Sequence, residues 1–220
     1  LVYCSDFMSD DEAQSTLVGN LEGELITEPR VLRFRTGQRA KHWNRNCVAL
    51  GLAAGFLEPL ESTSIHLIQR GVIRLMQMFP YGGVVESDRT EFNRQMDTEF
   101  RTIRDFIIMH YHVTERTDSE FWRRCRDMDV PDSLRHRLDL FRDTGRVFEA
   151  EGDIFRENSW TQVMLGQGIE PQSYHPIVDM MGEQELRQFM QIQGQKVDHV
   201  LNQLPTHQEF INHYCPTVDT

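Results

Sequence analysis

The chain has 220 residues, a formal net charge of −11 and an isoelectric point near 5.3. That length suffices for one sizeable domain or two small ones with a buried core. The acidic balance, with no basic stripe, excludes nucleic acid as an expected partner. No apolar run approaches the roughly twenty residues that span a bilayer and no signal peptide is read at the start, so a cytoplasmic protein without a membrane partner is expected. Cys4, Cys47, Cys125 and Cys215 are scattered without a C-x-x-C pair, and His110 and His112 would point to different faces of a helix. They predict reduced, mostly structural thiols and no metal site.

In chain order, Leu1 to Ser5 is a short β-prone run that reads as though cut inside a sheet. The acidic cap Ser9-Asp10-Asp11-Glu12 then starts a short helix within Asp6 to Asn20. Val31 to Arg35 alternates apolar and basic residues, which predicts a half-exposed strand ending at Thr36-Gly37. Arg33, Arg35, Arg39, Lys41 and Arg45 form the one basic concentration, read first as solvated surface and second as a neutraliser of acids or a dinucleotide contact. Asn46 to Gly51 suits a short buried strand.

The stretch Gly51 to Ile65, GLAAGFLEPLESTSI, is the most informative. Pro59 fixes its own φ and disfavours a helical Glu58, so a bend precedes a helix that starts near Ser62. Ser62 is the expected cap, and the amides of Thr63 and Ser64 fall in a first turn that lacks intrahelical acceptors, where an anion is favoured. Taken alone, the hydroxyl cluster is a helix cap, and Gly51 and Gly55 are sites of close packing.

Ile65, Ile68, Val72, Leu75, Met76 and Phe79 keep helical spacing up to Pro80. Thr90 is the expected cap of a second long helix bearing Phe92, Met96, Phe100, Ile103, Phe106, Ile107 and Tyr111, and the two should pack antiparallel. No strand signal follows. Asp118-Ser119-Glu120 starts a helix with Phe121-Trp122 in its first turn, where an aromatic pair is ordinarily core. Further helices are predicted from Pro131 to Gly145, around Trp160 to Leu165 with stops at Gly166 and Gly168, from Glu183 to Leu204, and from His207 to Cys215. Tyr174-His175-Pro176 reads as a turn. Met190 and the other methionines read as core filler.

As a string, Gly51 to Ile65 resembles the signature G-L-x-x-x-F-L-E-P-L-E-S-T-G-I of the flavin-dependent tryptophan halogenase family, with Ser64 in place of the final glycine. His110 to Trp122 resembles a second family segment, H-Y-x-x-T-x-R-x-D-S-x-F-W. The resemblance implies a mostly α fold with a few short strands: residues 1–80 as the C-terminal part of a flavin monooxygenase-like α/β domain, and residues 81–220 as a helical substrate-binding region. It implies Glu61 as the catalytic carboxylate, Leu52 and Ile65 as contacts to FAD, and the amides of Thr63 and Ser64 as the chloride or bromide seat. His110, Tyr111, Thr117, Phe121, Trp122 and Arg126 are the implied substrate contacts. Of these, His110, Thr117 and Arg126 stand where characterised tryptophan enzymes tend to carry tyrosine, glutamate and asparagine, which puts free tryptophan in question while leaving the aromatic slot.

The implied reaction uses reduced FAD, dioxygen and halide to halogenate an electron-rich aromatic such as tryptophan or another indole. A separate flavin reductase is implied, and a homodimer is among the expected assemblies. The dinucleotide loop, a W-x-W-x-I-P motif and a catalytic lysine belong to the family's N-terminal half and are not found in this sequence. Lys41 and Lys196 stand in the wrong contexts to replace that lysine, so the chain alone is expected to be an inactive fragment. The competing readings are a flavin-dependent aromatic hydroxylase and a non-catalytic helical interaction module.

Overall fold

A computed structural model describes residues 1–216. They form two compact units that meet between Ser173 and Tyr174. The expected division at residue 80 falls inside the first of them.

The first unit is organised around one long helix. Helix α1, Asp10–Gly19, is closed by a capping box in which Ser9 and Glu12 bond each other's backbone amides, as the acidic cap predicted. Four two-residue strands follow, arranged as two antiparallel pairs. β1, Gly37–Gln38, pairs with β4, Gly55–Phe56. β2, Trp43–Asn44, pairs with β3, Cys47–Val48, across a turn in which Arg45 takes a φ of 55°.

Two expected strands do not form. Leu1 to Ser5 and Val31 to Arg35 are extended or turn backbone with no ladder partner among the described residues, and a β-prone run without a partner has no way to satisfy its amides in a sheet. Nor is Asn46 to Gly51 a buried strand, because only Cys47–Val48 pairs and Cys47 is exposed.

Helix α2, Thr63–Gln77, stops one residue after Gln77 in a turn at Met78. Helix α3, Glu86–His112, has 27 residues, a length of about 40 Å. It starts one turn before Thr90, because Glu86 and Asp88 supply the negative first turn that a helix dipole favours. Thr90 therefore lies within the helix rather than capping it. Arg74 meets Gln95, while Arg70, one turn earlier, meets Glu99, one turn later. That order makes α2 and α3 an antiparallel pair.

One flank of α3 carries Phe92, Met96, Phe100, Ile103 and Ile107 against Trp43 and Leu67. The other carries Phe106, Met109 and Val113. These pack against Leu134, Leu138 and Phe141 of α5, Asp132–Thr144, and against Trp160 and Met164 of α6, Glu157–Gly166. Helix α4, Glu120–Asp127, is amphipathic and capped by the Ser119 hydroxyl. It crosses the end of α3.

The second unit holds a short 3₁₀ turn at Pro176–Met180, helix α7, Glu183–Leu201, and helix α8, His207–Tyr214. Helix α7 is three residues shorter than expected, since the segment before Pro205 loosens into turns. Neither helix has a buried residue. Met190, read as core filler, is exposed, whereas Met96, Met109 and Met164 do lie in the core. The four thiols are unpaired, and only Cys125 is even partly covered, so Cys4, Cys47 and Cys215 are surface groups rather than structural ones.

Candidate active site

The loop between β4 and α2 holds two of the three non-glycine residues with positive φ among the described residues. Glu61 has φ 63° and Ser62 has φ 52°, two consecutive non-glycine residues in the left-handed region, each costing about 1–2 kcal/mol. Ser62 does hold the cap position of α2, but in this conformation its side chain makes no bond to the first turn. Its amide donates to the Pro59 carbonyl instead, at 2.9 Å. The N-terminus of α2 thus lacks the ordinary hydroxyl cap. Thr63 is buried and Ser64 half-buried at this end.

Leu52 and Ile65 flank the same N-terminus as exposed apolar side chains, 70% and 75% accessible. Gly51 takes φ 60° beside Ile68, and Gly55 has β1 and Phe100 within 3 Å of where a Cβ would sit. Both glycines serve close approach of the chain to itself, as local chemistry predicted. The basic cluster is mostly surface, with Arg33 paired to Asp10 and Arg39 donating to the Ala53 carbonyl.

The Glu61 side chain is 38% exposed. It nevertheless turns to α3 rather than to bulk water, and its Oε1 lies 3.3 Å from His110 Nε2. On the other side of the His110 ring, Nδ1 lies 2.8 Å from the Phe106 carbonyl. Glu58, three residues before Glu61, accepts a bond from the Tyr111 hydroxyl at 2.8 Å. Burial pushes the Glu58 carboxyl above the usual range, opposed by Tyr111 and His110. Burial and the Glu58 bond together raise the Tyr111 phenol. The two carboxylates of E-P-L-E therefore clamp adjacent residues at the end of α3.

Tyr111 stacks on Trp122 at 6.0 Å, and Phe121 meets both rings edge-on. Phe121 also meets Phe7 edge-on, so it supports the aromatic wall while Trp122 faces an open cleft of about 700 Å³. His110 and Trp122 line that cleft with Thr114, Glu115, Arg116 and the Gln167-Gly168 turn after α6. Arg116 lies over the Trp122 ring at 4.4 Å while paired to Asp118, a cation–π arrangement that stiffens the wall.

Of the six implied substrate contacts, His110 and Trp122 line this cleft; Tyr111 and Phe121 pack against Trp122 without lining it, and Thr117 and Arg126 lie outside it. Thr117 is exposed, and its carbonyl accepts from Arg123. Arg126 is exposed and pairs with its neighbour Asp127. Residue-by-residue reading missed Glu58, Glu115, Arg116 and Gly168. The available signal for the last was the G-x-G after α6, read only as a helix stop. Gly168 has φ 84°, and a Cβ there would come within 3.0 Å of the Glu115 carboxylate.

No helix among the described residues is long and apolar enough to cross a membrane. The sequence matches the profile of the tryptophan halogenase family over residues 1–183. It is 32% identical over 198 residues to tryptophan 7-halogenase KtzQ from Kutzneria sp. (strain 744), a match covering 83% of this chain and 37% of that protein. Among solved structures it is similar to a flavin-dependent halogenase from Xanthomonas campestris, with 53% identity and a TM-score of 0.95 over 99% of this chain and 44% of that one. BrvH, a flavin-dependent halogenase from Brevundimonas sp. BAL3, follows with 39% identity and a TM-score of 0.91, over 96% and 43% of the two chains. The chain thus spans less than half the length of these relatives. With the family profile running from Leu1 into α7 and the same backbone in solved halogenases, the chain belongs to the tryptophan halogenase family.

Proposed function

We propose that this chain supplies the halide seat, the Glu61 carboxylate and the aromatic cleft of a flavin-dependent halogenase acting on an indole or a related electron-rich aromatic. The observation that carries the reading is the position of Glu61, which adjoins a helix start without a side-chain cap and lies 3.3 Å from His110, the residue that lines the cleft together with Trp122. Uncapped first-turn amides and the positive end of α2 attract an anion, so the amides of Thr63 and Ser64 are suited to a chloride or bromide. Exposed Ile65 in the first turn of α2 and exposed Leu52 in the turn packed on that helix offer apolar surface of the kind a flat flavin ring needs, so the residues present fit the cofactor.

Reduced FAD with dioxygen supplies the oxidising power that converts halide into an electrophilic halogen. Trp122, backed by Tyr111 and Phe121, holds an aromatic substrate by stacking and excludes water from one of its faces. Glu61 stabilises the cationic ring that forms when the halogen adds, and takes the departing ring proton. Thr117 and Arg126 belong to the rim of this reading rather than to the cleft, which favours an indole lacking the tryptophan amino-acid end. Reduced FAD comes from a separate flavin reductase, and residues 1–80 and 81–220 act as the flavin side and the substrate side of the site.

The test has two parts. Crystals of the chain soaked in bromide should show anomalous density at the Thr63 and Ser64 amides. The enzyme containing this chain, given reduced FAD, dioxygen, bromide and indole, should yield bromoindole by mass spectrometry, with a loss of about 10²–10³ in kcat for Glu61→Gln. Oxygen incorporation without bromide would establish the hydroxylase reading instead, and an empty amide site with no turnover would leave the interaction module.

A further inference from the structure

A carbonyl oxygen can only accept, so the 2.8 Å contact from His110 Nδ1 to the Phe106 carbonyl places the ring proton of the neutral imidazole on Nδ1. Nε2 then turns its lone pair toward Glu61 Oε1, 3.3 Å away. With the imidazole neutral, that pairing of a lone pair with a carboxylate oxygen gains when one more proton arrives to be shared between them. The ring cannot swing away, because Phe106 meets it edge-on at 4.8 Å and the Phe106 carbonyl holds its far side. On the other partner, the left-handed backbone at Glu61 and Ser62 fixes where the carboxylate emerges. Both members of the pair are thus held by contacts other than their own, and His110 also borders the open cleft, which gives it an exit to water.

We propose that His110 is the proton-accepting partner of Glu61, receiving through it the proton that the aromatic ring loses on halogenation. The inference rests on the function proposed above. An electrophilic halogen, delivered as hypohalous acid with hydroxide departing, forms the new carbon–halogen bond. The C–H bond at that carbon then breaks, and its electron pair restores the aromatic sextet. The proton goes to Glu61 and on to His110 Nε2, which regenerates the carboxylate, and leaves through the cleft to solvent, so that halogenated arene and water balance arene and hypohalous acid. His110 acts through Glu61 and is in that sense a positioning and relay residue.

The titratable and charged groups facing it are Glu61 and Glu58 from the loop before α2, Tyr111 on its own helix, and Glu115 and Arg116 from the segment after α3. Glu58 is occupied by Tyr111 and Arg116 by Asp118, which leaves Glu61, 3.3 Å away, as the carboxylate that faces Nε2.

His110→Gln separates relay from positioning, because its amide can still donate to Glu61 but cannot take up a proton. In the enzyme containing this chain, His110→Gln should lower kcat about 10- to 100-fold with KM within about twofold. A solvent deuterium isotope effect on kcat should appear with it, since re-ionisation of Glu61 becomes rate-limiting. Product from the wild type together with an unchanged kcat and no isotope effect in His110→Gln overturns the relay alone. No halogenated product from the wild type sinks the function and the relay with it. Independently of turnover, ¹⁵N spectra of this chain should show the Nδ1–H tautomer for His110 and a moved Nε2 resonance in Glu61→Gln, and an unmoved resonance also overturns the proposal.

Discussion

The α2–α3 pair that sets the Glu61-to-His110 distance is bolted by a buried carboxylate, and cutting the bolt has a calculable cost. Glu99 is 1% exposed; its Oε2 is held by Arg74 at 3.0 Å, while its Oε1 takes Arg70 at 3.2 Å and His66 at 3.6 Å. The Arg74 side chain is 6% exposed and that of Arg70 48%. Arg74→Met keeps the apolar stem but removes the donor bonded to Oε2, leaving half of a buried carboxylate uncompensated. Breaking a buried pair from one side costs about 3–5 kcal/mol, and because Oε1 keeps its bond from Arg70 the lower end, about 3 kcal/mol, is expected.

Arg70→Met removes a half-exposed partner that water screens, so about 1 kcal/mol or less is expected. Urea unfolding of the chain at constant pH measures both, and with a slope of about 2–3 kcal/mol/M the Arg74→Met midpoint should fall by about 1 M. Restoring an apolar pair with Arg74→Met/Glu99→Met should recover most of the loss. An Arg74→Met midpoint no lower than that of Arg70→Met would refute the reasoning, because it would mean that burial does not set the strength of this network.

Other substitutions report on the elements around the site. Ser62→Val places a β-branched residue at φ 52° and should melt lower than Ser62→Gly by about 1–2 kcal/mol in chemical denaturation. Gly55→Ala puts a Cβ 2.7 Å from the Gly37 carbonyl and 2.9 Å from Phe100, and a drop in thermal midpoint equivalent to about 1–3 kcal/mol is expected as the β1–β4 pair is forced apart. His42 is buried against Phe100, with both ring nitrogens lacking a bond and its proton affinity lowered by burial and then by Arg74. Its folded value lies below the unfolded 6.5, so its contribution is whole above pH 6.5 and is lost as the pH falls through that value, by at most about 1.4 kcal/mol per unit. His42→Leu should flatten that acid slope in unfolding experiments run from pH 8 to pH 5.

Local rules in this chain are written into residues a few positions apart. Ser9 with Glu12, Ser119 ahead of Phe121, and the apolar spacing along Phe92 to Ile107 announced α1, α4 and α3, because capping and helical periodicity depend only on near neighbours. The string Gly51 to Ile65 announced the family and singled out Glu61 for the same reason. What lay beyond sequence were the properties that need a distant partner. Leu1 to Ser5 and Val31 to Arg35 have strand composition but no strand to join among the described residues. Thr117 and Arg126 keep the alignment but not the cleft: both are exposed, the Thr117 carbonyl accepting from Arg123 and Arg126 pairing with Asp127. Glu115 and Gly168 meet only once α6 packs beside α3. Above all, the contact between Glu61 and His110 spans the whole α2–α3 hairpin, so it exists only because Glu99 and the Trp43–Phe100 core press those two helices together.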